Sequence, residues 1–464
     1  MKPGVELAGK RVLVVGLART GVATAQFCLE RGARVAATEE QPEEKVAEAA
    51  AKLRGLGVEL ELGGHRRETF LQQDLIIPSP GVPFDMPHLV AARSHGVRIW
   101  SEIELAWRSL RGRLVAVTGS NGKTTTTALI GHILKSAGLP TLVGGNIGTP
   151  LISLVELSSD AAVTVAEVSS FQLEAVEAFH PEVGVLLNIT PDHLDRHASY
   201  EDYVKAKGRI FENQDEHDAA VINADDPEAA RLPPAHAQVY WTSRARRVAA
   251  GAYLREGQVV FRRDGADTVV MPREEIPLRG EHNVENVLAA TAAAALCGVS
   301  APAIAAAVRS FAGVEHRLEF VAEIRGVSFY NDSKATNVDA TLKALDAFAT
   351  HLWVILGGKD KGSDYTVLAD LLQRRARLVL LIGAAAEKIS KQLEGVVPME
   401  QAGTLERAVR AAFERAQPGD VILLAPACAS FDQFQNYEHR GRVFKQIVRQ
   451  LELESAANGV ARAS

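Results

Sequence analysis

Short runs of apolar residues alternate with longer segments of helical periodicity along the whole chain. The first run, Arg11–Val15, enters a turn at Gly16, and another, Leu114–Val117, enters a turn at Gly119. Strand-like runs that alternate with helical segments are typical of βαβ units with parallel sheets. The pattern therefore predicts an α/β protein. Further runs follow beyond Gly313, at 327–330, 352–356, 378–382 and 421–424.

The spacing of these runs indicates several domains. Two nucleotide-type turns roughly a hundred residues apart indicate two α/β domains, and the runs beyond Gly313 indicate a third. The length of 464 residues also fits three domains of about 150 residues each. We predict three α/β domains, at 1–101, 102–312 and 313–464.

The charge composition bears on whether the protein binds nucleic acid or membranes. The chain has 51 Lys and Arg against 57 Asp and Glu, a net charge of −6, and charged residues make up 23% of the total. This mild acidity gives no global electrostatic reason to bind nucleic acid or an anionic membrane. We therefore expect neither as a partner, and any phosphate-binding site must be local.

Three cysteines, Cys28, Cys297 and Cys428, lie far apart and lack metal-ligand spacing, as expected in a reducing compartment. We predict that all three are buried. The uncharged stretch 286–308 carries Gly298 at a helix end and a serine and a proline at a helix start, so it predicts two short helices and not a membrane span. With no apolar leader at the N-terminus, we expect a cytoplasmic protein. We separately expect it to be a monomer.

The first glycine turn differs from a dinucleotide fingerprint. Its middle glycine is replaced by Ala18, and the next strand is expected to end at Thr38, where a ribose-binding acid would stand. The amides of the turn between Gly16 and Gly21 can still hold a phosphate, because exposed N–H groups at a helix N-terminus attract anions. A nucleotide diphosphate therefore fits this turn better than NAD does.

The strongest local signal is the loop Gly119–Thr125, which follows a strand and precedes a helix predicted at 126–137. Its small residues let backbone amides approach phosphate oxygens, Lys123 supplies a cation to the β- and γ-phosphates, and Thr124 can offer its hydroxyl to Mg²⁺. The first glycine of the ordinary Walker pattern would fall at Val117, so the loop is not a generic P-loop.

Two further strands end in polar residues at the same predicted sheet edge. Glu167 ends an apolar strand, where a buried carboxylate needs a cation, and Mg²⁺ near Thr124 would supply it. Asp192 and His193 follow the next strand. Open α/β sheets bind ligands at this edge, so these residues could orient a substrate amine or receive its proton, and the general base stays open.

These segments together resemble the Mur ligases, the ATP-dependent amide-forming family that builds the peptide stem of the bacterial cell wall. The resemblance runs from residue 11 to about 445. The loop Gly119–Thr125 is similar to the family's Gly-Thr/Ser-Asn-Gly-Lys-Thr/Ser-Thr motif. The resemblance implies the three-domain Mur ligase architecture, with a Rossmann-like N-terminal domain, a central P-loop-type ATPase α/β domain and a Rossmann-like C-terminal domain. It also implies ATP and Mg²⁺, with two ions. Other similar blocks lie at 145–148, 167–173, 188–196, 203–211 and 282–286.

The resemblance also implies residue roles. Lys207, not Lys205, stands where the family carries a carbamylated lysine, which turns a cation into an anionic metal ligand. The implied metal ligands are Thr124, Glu167, His193 and Lys207 as its carbamate. The implied UDP-substrate contacts are Arg19, Thr20, Thr38, Ser79, Asn146 and His193. The implied ATP contacts are Gly119, Ser120, Asn121, Gly122, Lys123, Thr124, Thr125, Asn283, Asn286, Arg317, Asp332 and Lys334.

The C-terminal segments 331–337, 357–362 and 426–434 are similar to the members that add D-glutamate to UDP-N-acetylmuramoyl-L-alanine. A substrate with two carboxylates needs fixed donors and cations, which these segments hold. The resemblance implies a reaction through an acyl phosphate, with Lys123, Glu167, Asp192, His193 and Lys207 as catalytic residues. The implied D-glutamate site consists of Thr336, Lys361, Ser430, Phe431, Tyr437 and Arg440.

Four alternatives compete with this interpretation. A ligase for another amino acid and a folate polyglutamate synthetase would both share the central loop. The turn at Gly16 and the loop at 78–81 suit a UDP group, which argues against the folate enzyme. A non-catalytic nucleotide-binding regulator would be expected to lack Lys123, Glu167 or Lys207, and all three are present. A dehydrogenase is disfavoured by Ala18 and by the lack of an acidic residue at the expected end of the next strand.

Overall fold

The computed structural model describes residues 4–191, 196–197 and 199–463, with side chains as far as 455. The chain folds into two units. The first comprises Met1–Ile276 and Val284–Phe311, and the second comprises Pro277–Asn283 and Ala312–Ser464. The three sheets lie at 11–99, 113–272 and 319–424, and the first unit holds two of them.

The N-terminal sheet is fully parallel, with the strand order β3-β2-β1-β4-β5. Val15 pairs with Thr38 and with Pro78, so the residues that follow these three strands meet at one edge. The strands are β1 (Arg11–Val15), β2 (Arg34–Glu39), β3 (Glu59–Leu62), β4 (Leu75–Pro78) and β5 (Arg98–Ile99). The helices are α1 (Arg19–Glu30), α2 (Ala47–Gly55), α3 (Arg67–Leu71), α4 (Pro87–Ser94) and α5 (Glu102–Ser109), with a 3₁₀ turn at Glu43–Lys45.

The central sheet has nine strands, which are β6 (Arg113–Thr118), β7 (Thr141–Gly145), β8 (Val163–Glu167), β9 (Val183–Leu186), β10 (Ala219–Asn223), β11 (Gln238–Ser243), β12 (Gly251–Arg255), β13 (Gln258–Arg263) and β14 (Ala266–Pro272). Their order is β14-β13-β12-β11-β10-β9-β6-β8-β7. Val117 pairs with Glu167, and Thr118 pairs with Leu186, so the ends of β6, β8 and β9 meet. Strands β12–β14 form an antiparallel ribbon that the parallel pattern did not predict.

Helices and 3₁₀ turns accompany the central sheet. The helices are α6 (Lys123–Ser136), α7 (Ser170–Glu174), α8 (Tyr200–Gly208), α9 (Glu281–Leu296) and α10 (Ala301–Ser310), and the 3₁₀ turns are Leu151–Leu157, Arg209–Phe211, Ala229–Arg231 and Arg273–Glu275. The prediction of two helices within 286–308 is confirmed, with Gly298 between them at φ +92°. No helix among the described residues is long and apolar enough to cross a membrane.

The C-terminal sheet has the order β15-β16-β20-β17-β18-β19, and only its edge strand β15 is antiparallel. Leu424 pairs with Asn331 and with Ile355, so the loops after β16, β17 and β20 leave from one edge. The strands are β15 (Glu319–Ile324), β16 (Val327–Asn331), β17 (Leu352–Gly357), β18 (Ala376–Ile382), β19 (Met399–Gly403) and β20 (Val421–Leu424). The helices are α11 (Val338–Asp346), α12 (Ala369–Arg375), α13 (Ala386–Gln392), α14 (Leu405–Arg415) and α15 (Tyr437–Ala463), with a 3₁₀ turn at Thr366–Leu368.

One hydrophobic core extends through both sheets of the first unit, which explains why they form a single compact body. The α5 helix reinforces this packing. Its fully buried Glu104 accepts hydrogen bonds from the backbone amides of Ala178 and Phe179 and from the Arg108 guanidinium. A buried carboxylate is stable only with such partners. All three cysteines are buried and unpaired, as predicted.

Candidate active site

The loop between β6 and α6 needs two glycines. Gly119 has φ +153° and Gly122 has φ +83°, which L side chains rarely adopt. A Cβ on Gly119 would lie 3.0 Å from the Leu187 Cβ, and one on Gly122 would lie 2.3 Å from the Asn286 Oδ1. The α6 helix begins at Lys123, so the loop amides lead directly into a helix N-terminus, which is a favourable place for a phosphate group.

Residues that follow β9 and a tyrosine of α8 hold this loop in shape. The amide of Ser120 donates to the Asn188 carbonyl at 2.9 Å, and the amide of Asn121 donates to the Asn188 Oδ1 at 2.8 Å. The Ser120 hydroxyl lies 2.7 Å from the Tyr203 hydroxyl. The loop is therefore preorganised by hydrogen bonds to other elements of its unit. Tyr203 has no predicted role, although it stands four residues before Lys207 on the same helix face.

Two lysines approach the loop from different helices. Lys123 Nζ donates to the carbonyls of Gly119 and Ser120 at 2.8 and 2.9 Å. Lys207 Nζ donates to the same Gly119 carbonyl at 2.8 Å and lies 4.5 Å from the centre of the Tyr203 ring. Lys207 is only 2% exposed, whereas the neighbouring Lys205 is exposed. A lysine is rarely buried without a specific role, so Lys207 is not an ordinary solvated helix residue.

Glu167 ends β8 directly beside the loop and is buried. Its Oε2 accepts a hydrogen bond from the Thr124 hydroxyl at 2.8 Å, and its Oε1 accepts one from the Asn146 side-chain amide at 2.9 Å. Thr124 and Glu167 supply oxygen ligands of the kind that Mg²⁺ prefers. The residues present therefore fit a magnesium site, and the prediction that Glu167 lies near Thr124 is confirmed.

Three other predicted ATP contacts, Thr125, Asn283 and Asn286, lie in helices α6 and α9. Thr125 is buried in the first turn of α6, and Asn286 accepts a hydrogen bond from the Thr126 hydroxyl at 3.2 Å. The Asn283 side chain, in the second unit, donates to the Arg279 carbonyl at 2.6 Å. The predicted residues Asp192 and His193 lie outside the described residues.

The chain that follows them carries two residues, Arg196 and His197, for which the sequence predicted no role. The Arg196 guanidinium donates to the carbonyls of Gly81 and Val82 at 2.7 Å each, within the loop after β4. The His197 ring is buried, with Nε2 3.0 Å from the Ser170 hydroxyl and Nδ1 3.1 Å from a Glu174 carboxylate oxygen. Burial raises the pKa of Glu174 to about 7. These contacts depend on long-range packing that no local motif announces.

The first glycine turn requires a correction. Strand β2 extends to Glu39, not Thr38, so an acidic residue does end this strand. One carboxylate oxygen of Glu39 accepts a hydrogen bond from the Leu17 amide at 2.8 Å, and the other accepts one from the Gln41 amide at 3.0 Å. Thr38 is buried, and its hydroxyl lies 2.7 Å from His65 Nδ1. The Glu39 carboxylate therefore already occupies the Leu17 amide of this turn.

Other predicted UDP-substrate contacts surround this turn. The Ser79 hydroxyl donates to the Gly16 carbonyl at 3.0 Å, and the exposed Arg19 donates to the Gly148 carbonyl beside Asn146. Thr20 is half-buried in the first turn of α1. A cavity of about 1090 Å³ opens next to these residues. Its lining includes Leu17, Arg19, Glu39, Gln41, Thr149 and Pro150.

Among the other predicted ATP contacts, all in the second unit, Asp332 and Lys334 follow β16 and Arg317 lies just before β15. Asp332 is buried and accepts a hydrogen bond from the Leu318 amide at 3.2 Å. Burial raises the pKa of Asp332 to about 6, although the nearby charge of Arg317 opposes this shift. Lys334 Nζ lies 5.3 Å from the centre of the Tyr437 ring, within reach of a cation–π contact.

The predicted D-glutamate contacts differ in exposure. Lys361 and Phe431 are exposed, Thr336 and Tyr437 are half-buried, and Ser430 is buried. The backbones of Lys359 and Ala429 pair at 2.8 and 3.2 Å, which joins the loops after β17 and β20.

Arg440 has a different environment from these residues. It is fully buried, and its guanidinium donates to the Cys428 carbonyl at 3.2 Å, to the Ser333 carbonyl at 2.8 Å and to the Ser333 hydroxyl at 3.0 Å. Burial lowers the pKa of Arg440 to about 10. Its donors therefore face the protein, and its direct contact with D-glutamate stays a prediction.

Comparisons with known proteins agree with this arrangement. Family models match in three segments, which are the Mur ligase MurD-like N-terminal domain at 10–101, the Mur ligase middle domain at 117–294 and the Mur ligase glutamate ligase domain at 316–428. A UDP-N-acetylmuramoylalanine–D-glutamate ligase of Acidobacterium capsulatum is 55% identical over 96% of this chain and 97% of its own length. The enzyme of the same name from Solibacter usitatus is 54% identical over 96% of this chain and 99% of its own length.

Among solved structures, a pseudomurein peptide ligase type C from Methanothermus fervidus has a TM-score of 0.59 at 21% identity, over 96% of this chain and 100% of that chain. This likeness supports the predicted fold. The identity to the D-glutamate ligases over nearly the full length of both chains supports a closer relationship. The chain therefore belongs to the Mur ligase family and groups there with the UDP-N-acetylmuramoylalanine–D-glutamate ligases.

Proposed function

We propose that this chain is an ATP-dependent ligase that adds D-glutamate to UDP-N-acetylmuramoyl-L-alanine. The observation that carries the proposal is the group around the β6–α6 loop. The Thr124 hydroxyl and a Glu167 carboxylate oxygen, both suitable Mg²⁺ ligands, lie 2.8 Å apart beside this loop. The ammonium groups of Lys123 and Lys207 both donate to the Gly119 carbonyl of the loop. The relatives that cover nearly all of the chain bear the name of this activity.

The first step forms an acyl phosphate. The terminal carboxylate of the UDP-substrate attacks the γ-phosphorus of ATP, a carboxylate O–P bond forms, and the bond to the ADP leaving group breaks. Lys123 neutralises charge on the transferring group, and the glycine loop positions it. Thr124 and Glu167 would hold Mg²⁺, which would supply positive charge to neutralise the phosphate groups.

We extend the proposal to a second ion and a carbamate on Lys207. An ammonium at this position would repel Mg²⁺, whereas a carbamate offers anionic oxygen. The burial of Lys207 next to the Gly119 carbonyl supports a specific chemical role for it. His193 completes the proposed ligand set of Thr124, Glu167 and the modified lysine.

The second step forms the amide. The neutral amine of D-glutamate attacks the acyl carbon, a tetrahedral intermediate forms, and inorganic phosphate leaves as the amine loses a proton. Asp192 and His193 are the proposed groups that orient this amine or receive its proton. Lys361 would pair with a substrate carboxylate, Ser430 and Thr336 would donate hydrogen bonds, and the aromatic rings of Phe431 and Tyr437 would wall the site.

The remaining proposals concern the setting of the reaction. We place it in the cytoplasm, since the three buried cysteines Cys28, Cys297 and Cys428 are unpaired. The proposed acting species is a monomer, with small molecules as its partners.

The test is phosphate release from ATP by the purified chain, with UDP-N-acetylmuramoyl-L-alanine and either D- or L-glutamate. We expect turnover with D-glutamate, and equal turnover with L-glutamate would refute the assignment. Lys361→Met should raise the KM for D-glutamate without changing the KM for ATP. Lys359→Met is the matched control, because Lys359 is an exposed lysine of the same turn. An effect of Lys361→Met confined to ATP would refute its placement.

A further inference from the structure

A buried tyrosine joins the two C-terminal loops that carry proposed D-glutamate contacts. Tyr365 is 0% exposed, and its hydroxyl lies 2.8 Å from Asp360 Oδ1 and 3.0 Å from Cys428 Sγ. Asp360 immediately precedes Lys361 in the loop after β17, and Cys428 lies two residues before Ser430 in the loop after β20. One hydroxyl group therefore connects both loops through side chains.

The chemistry of the three groups fixes the direction of the hydrogen bonds. An ionised carboxylate only accepts, so the Tyr365 hydroxyl donates to Asp360. The Cys428 thiol then donates to the tyrosine oxygen, because that oxygen has no second proton. Burial raises the pKa of Tyr365 well above its ordinary value and that of Cys428 to about 11, so both keep their protons at neutral pH.

The other oxygen of Asp360 is also occupied. Lys388 Nζ donates to Asp360 Oδ2 at 2.8 Å, and its ammonium lies 5.5 Å from the centre of the Tyr365 ring. This hydrogen bond lowers the pKa of Asp360 to about 2, so the carboxylate is ionised at neutral pH. Lys361, by contrast, makes no ion pair with any other residue that the structure describes.

Anchoring Asp360 matters for an anionic substrate. A carboxylate free to swing beside Lys361 would pair with that lysine or repel a substrate carboxylate. Tyr365 and Lys388 hold the Asp360 carboxylate on both oxygens, and this leaves the Lys361 charge available to a ligand. The hydroxyl of Tyr365 therefore helps to fix the position of the Asp360 carboxylate, next to Lys361.

The partner loop is already rigid on its far side. Arg440, in α15, donates to the Cys428 carbonyl at 3.2 Å. The backbone pairing of Lys359 with Ala429 already joins the two loops, and the Tyr365 hydroxyl adds a side-chain contact at Asp360, next to Lys361. Ala427 has φ +59°, a left-handed conformation that a residue with a Cβ adopts only when its surroundings impose it. Tyr365 thus fastens the loop of Lys361 to a loop that is itself fixed.

We infer that Tyr365 is a positioning residue of the D-glutamate site, acting through Asp360 on Lys361 and through Cys428 on Ser430. The inference rests on the proposed function, since it assigns Lys361 and Ser430 to D-glutamate. The substitution Tyr365→Phe would keep the ring in the core and remove only the hydroxyl. It is the sharpest available perturbation.

The test measures kcat and the KM for each of the three substrates in Tyr365→Phe. Loss of a hydrogen bond to a charged group should raise the KM for D-glutamate by about tenfold. The kcat and the KM for ATP and for the UDP-substrate should stay within about twofold of the unmodified values. Tyr330→Phe is the matched control, since Tyr330 is a buried tyrosine of the same hydrophobic core with ring contacts to Phe320 and Phe348. It should leave all four constants unchanged.

Cys428→Ala removes the connection from its other end and serves if Tyr365→Phe does not fold. It should raise the KM for D-glutamate in the same selective way, and the double variant should be no worse than Tyr365→Phe alone. A KM for D-glutamate unchanged in both variants, or a parallel change in all three KM values, would overturn the positioning role while the proposed function stood. No D-glutamate-dependent phosphate release by the unmodified chain would overturn both.

Discussion

Arg440→Met separates two roles for a residue that the sequence alone assigned to the D-glutamate site. If the guanidinium acts by holding the loops, its removal should destabilise the C-terminal unit and weaken D-glutamate binding together. If it contacts the substrate directly, binding should weaken while stability stays the same. The structure favours the first role, because the side chain is fully buried and its donors are used internally.

The magnitude follows from the acceptors that would lose their donor. The Ser333 carbonyl, the Ser333 hydroxyl and the Cys428 carbonyl would be left without the guanidinium, at about 2 kcal/mol each in a buried setting. Methionine would also relieve the cost of burying a charge. The fall in the pKa of Arg440 from 12.5 to about 10 corresponds to about 3 kcal/mol. A net destabilisation of about 3 kcal/mol remains, or about 10 °C in the Tm of a unit of this size.

Calorimetric unfolding of the full chain, with the KM for D-glutamate measured in parallel, provides the assay. Arg442→Met is the matched control, since Arg442 is exposed two residues further along α15. It should leave both quantities unchanged. An Arg440→Met chain that unfolds at the unmodified temperature but has a greatly raised KM for D-glutamate would refute the positioning argument.

Three further predictions concern the first unit. Lys123→Ala should lower kcat by about 10²–10³-fold, as expected when one charge-stabilising donor is removed, and full phosphate release would contradict the ATP site. Lys207→Arg should abolish most activity because arginine keeps its charge and cannot replace a carbamate, whereas the exposed Lys205→Arg should retain activity. Burial raises the pKa of Glu102 from 4.5 to about 7, so this group favours the folded state below pH 4.5 and loses that contribution, about 3 kcal/mol, as the pH rises through 7. Glu102→Gln should therefore flatten the dependence of Tm on pH between 5 and 8, and parallel Tm curves for both chains would contradict this.

Local sequence patterns were sufficient for the phosphate loop. A strand, a run of small residues and a helix start are neighbours in sequence, and Glu167 meets Thr124 because parallel strands end at a common edge. The burial of Lys207 could not be derived in this way. Its environment depends on Tyr203 and on a carbonyl 88 residues away, and only the family resemblance distinguished it from Lys205.

Two differences between the predicted and the observed fold have local signals in the sequence. The antiparallel ribbon turns at Glu256-Gly257 and Asp264-Gly265, all with positive φ, and an Asp-Gly pair between apolar alternations is a strong hairpin signal. Glu39 lies one residue beyond the expected end of β2, and strand ends carry that uncertainty when only the sequence is known. No sequence pattern indicated the hydrogen bond between Tyr365 and Cys428, because it is a side-chain contact between positions 63 residues apart.

The carboxylate of Glu39 on the Leu17 amide has a consequence for selectivity. An open helix N-terminus attracts any small anion, including the phosphate dissolved in every cell. Here the Glu39 carboxylate competes with such an anion and is covalently part of the chain. A group tethered by a short connection has an effective concentration on the order of millimolar or more. Free phosphate gains little by exchange with it. An anionic ligand that used the Leu17 amide would have to displace this tethered carboxylate, so a ligand held through other groups as well would compete better than a free phosphate ion.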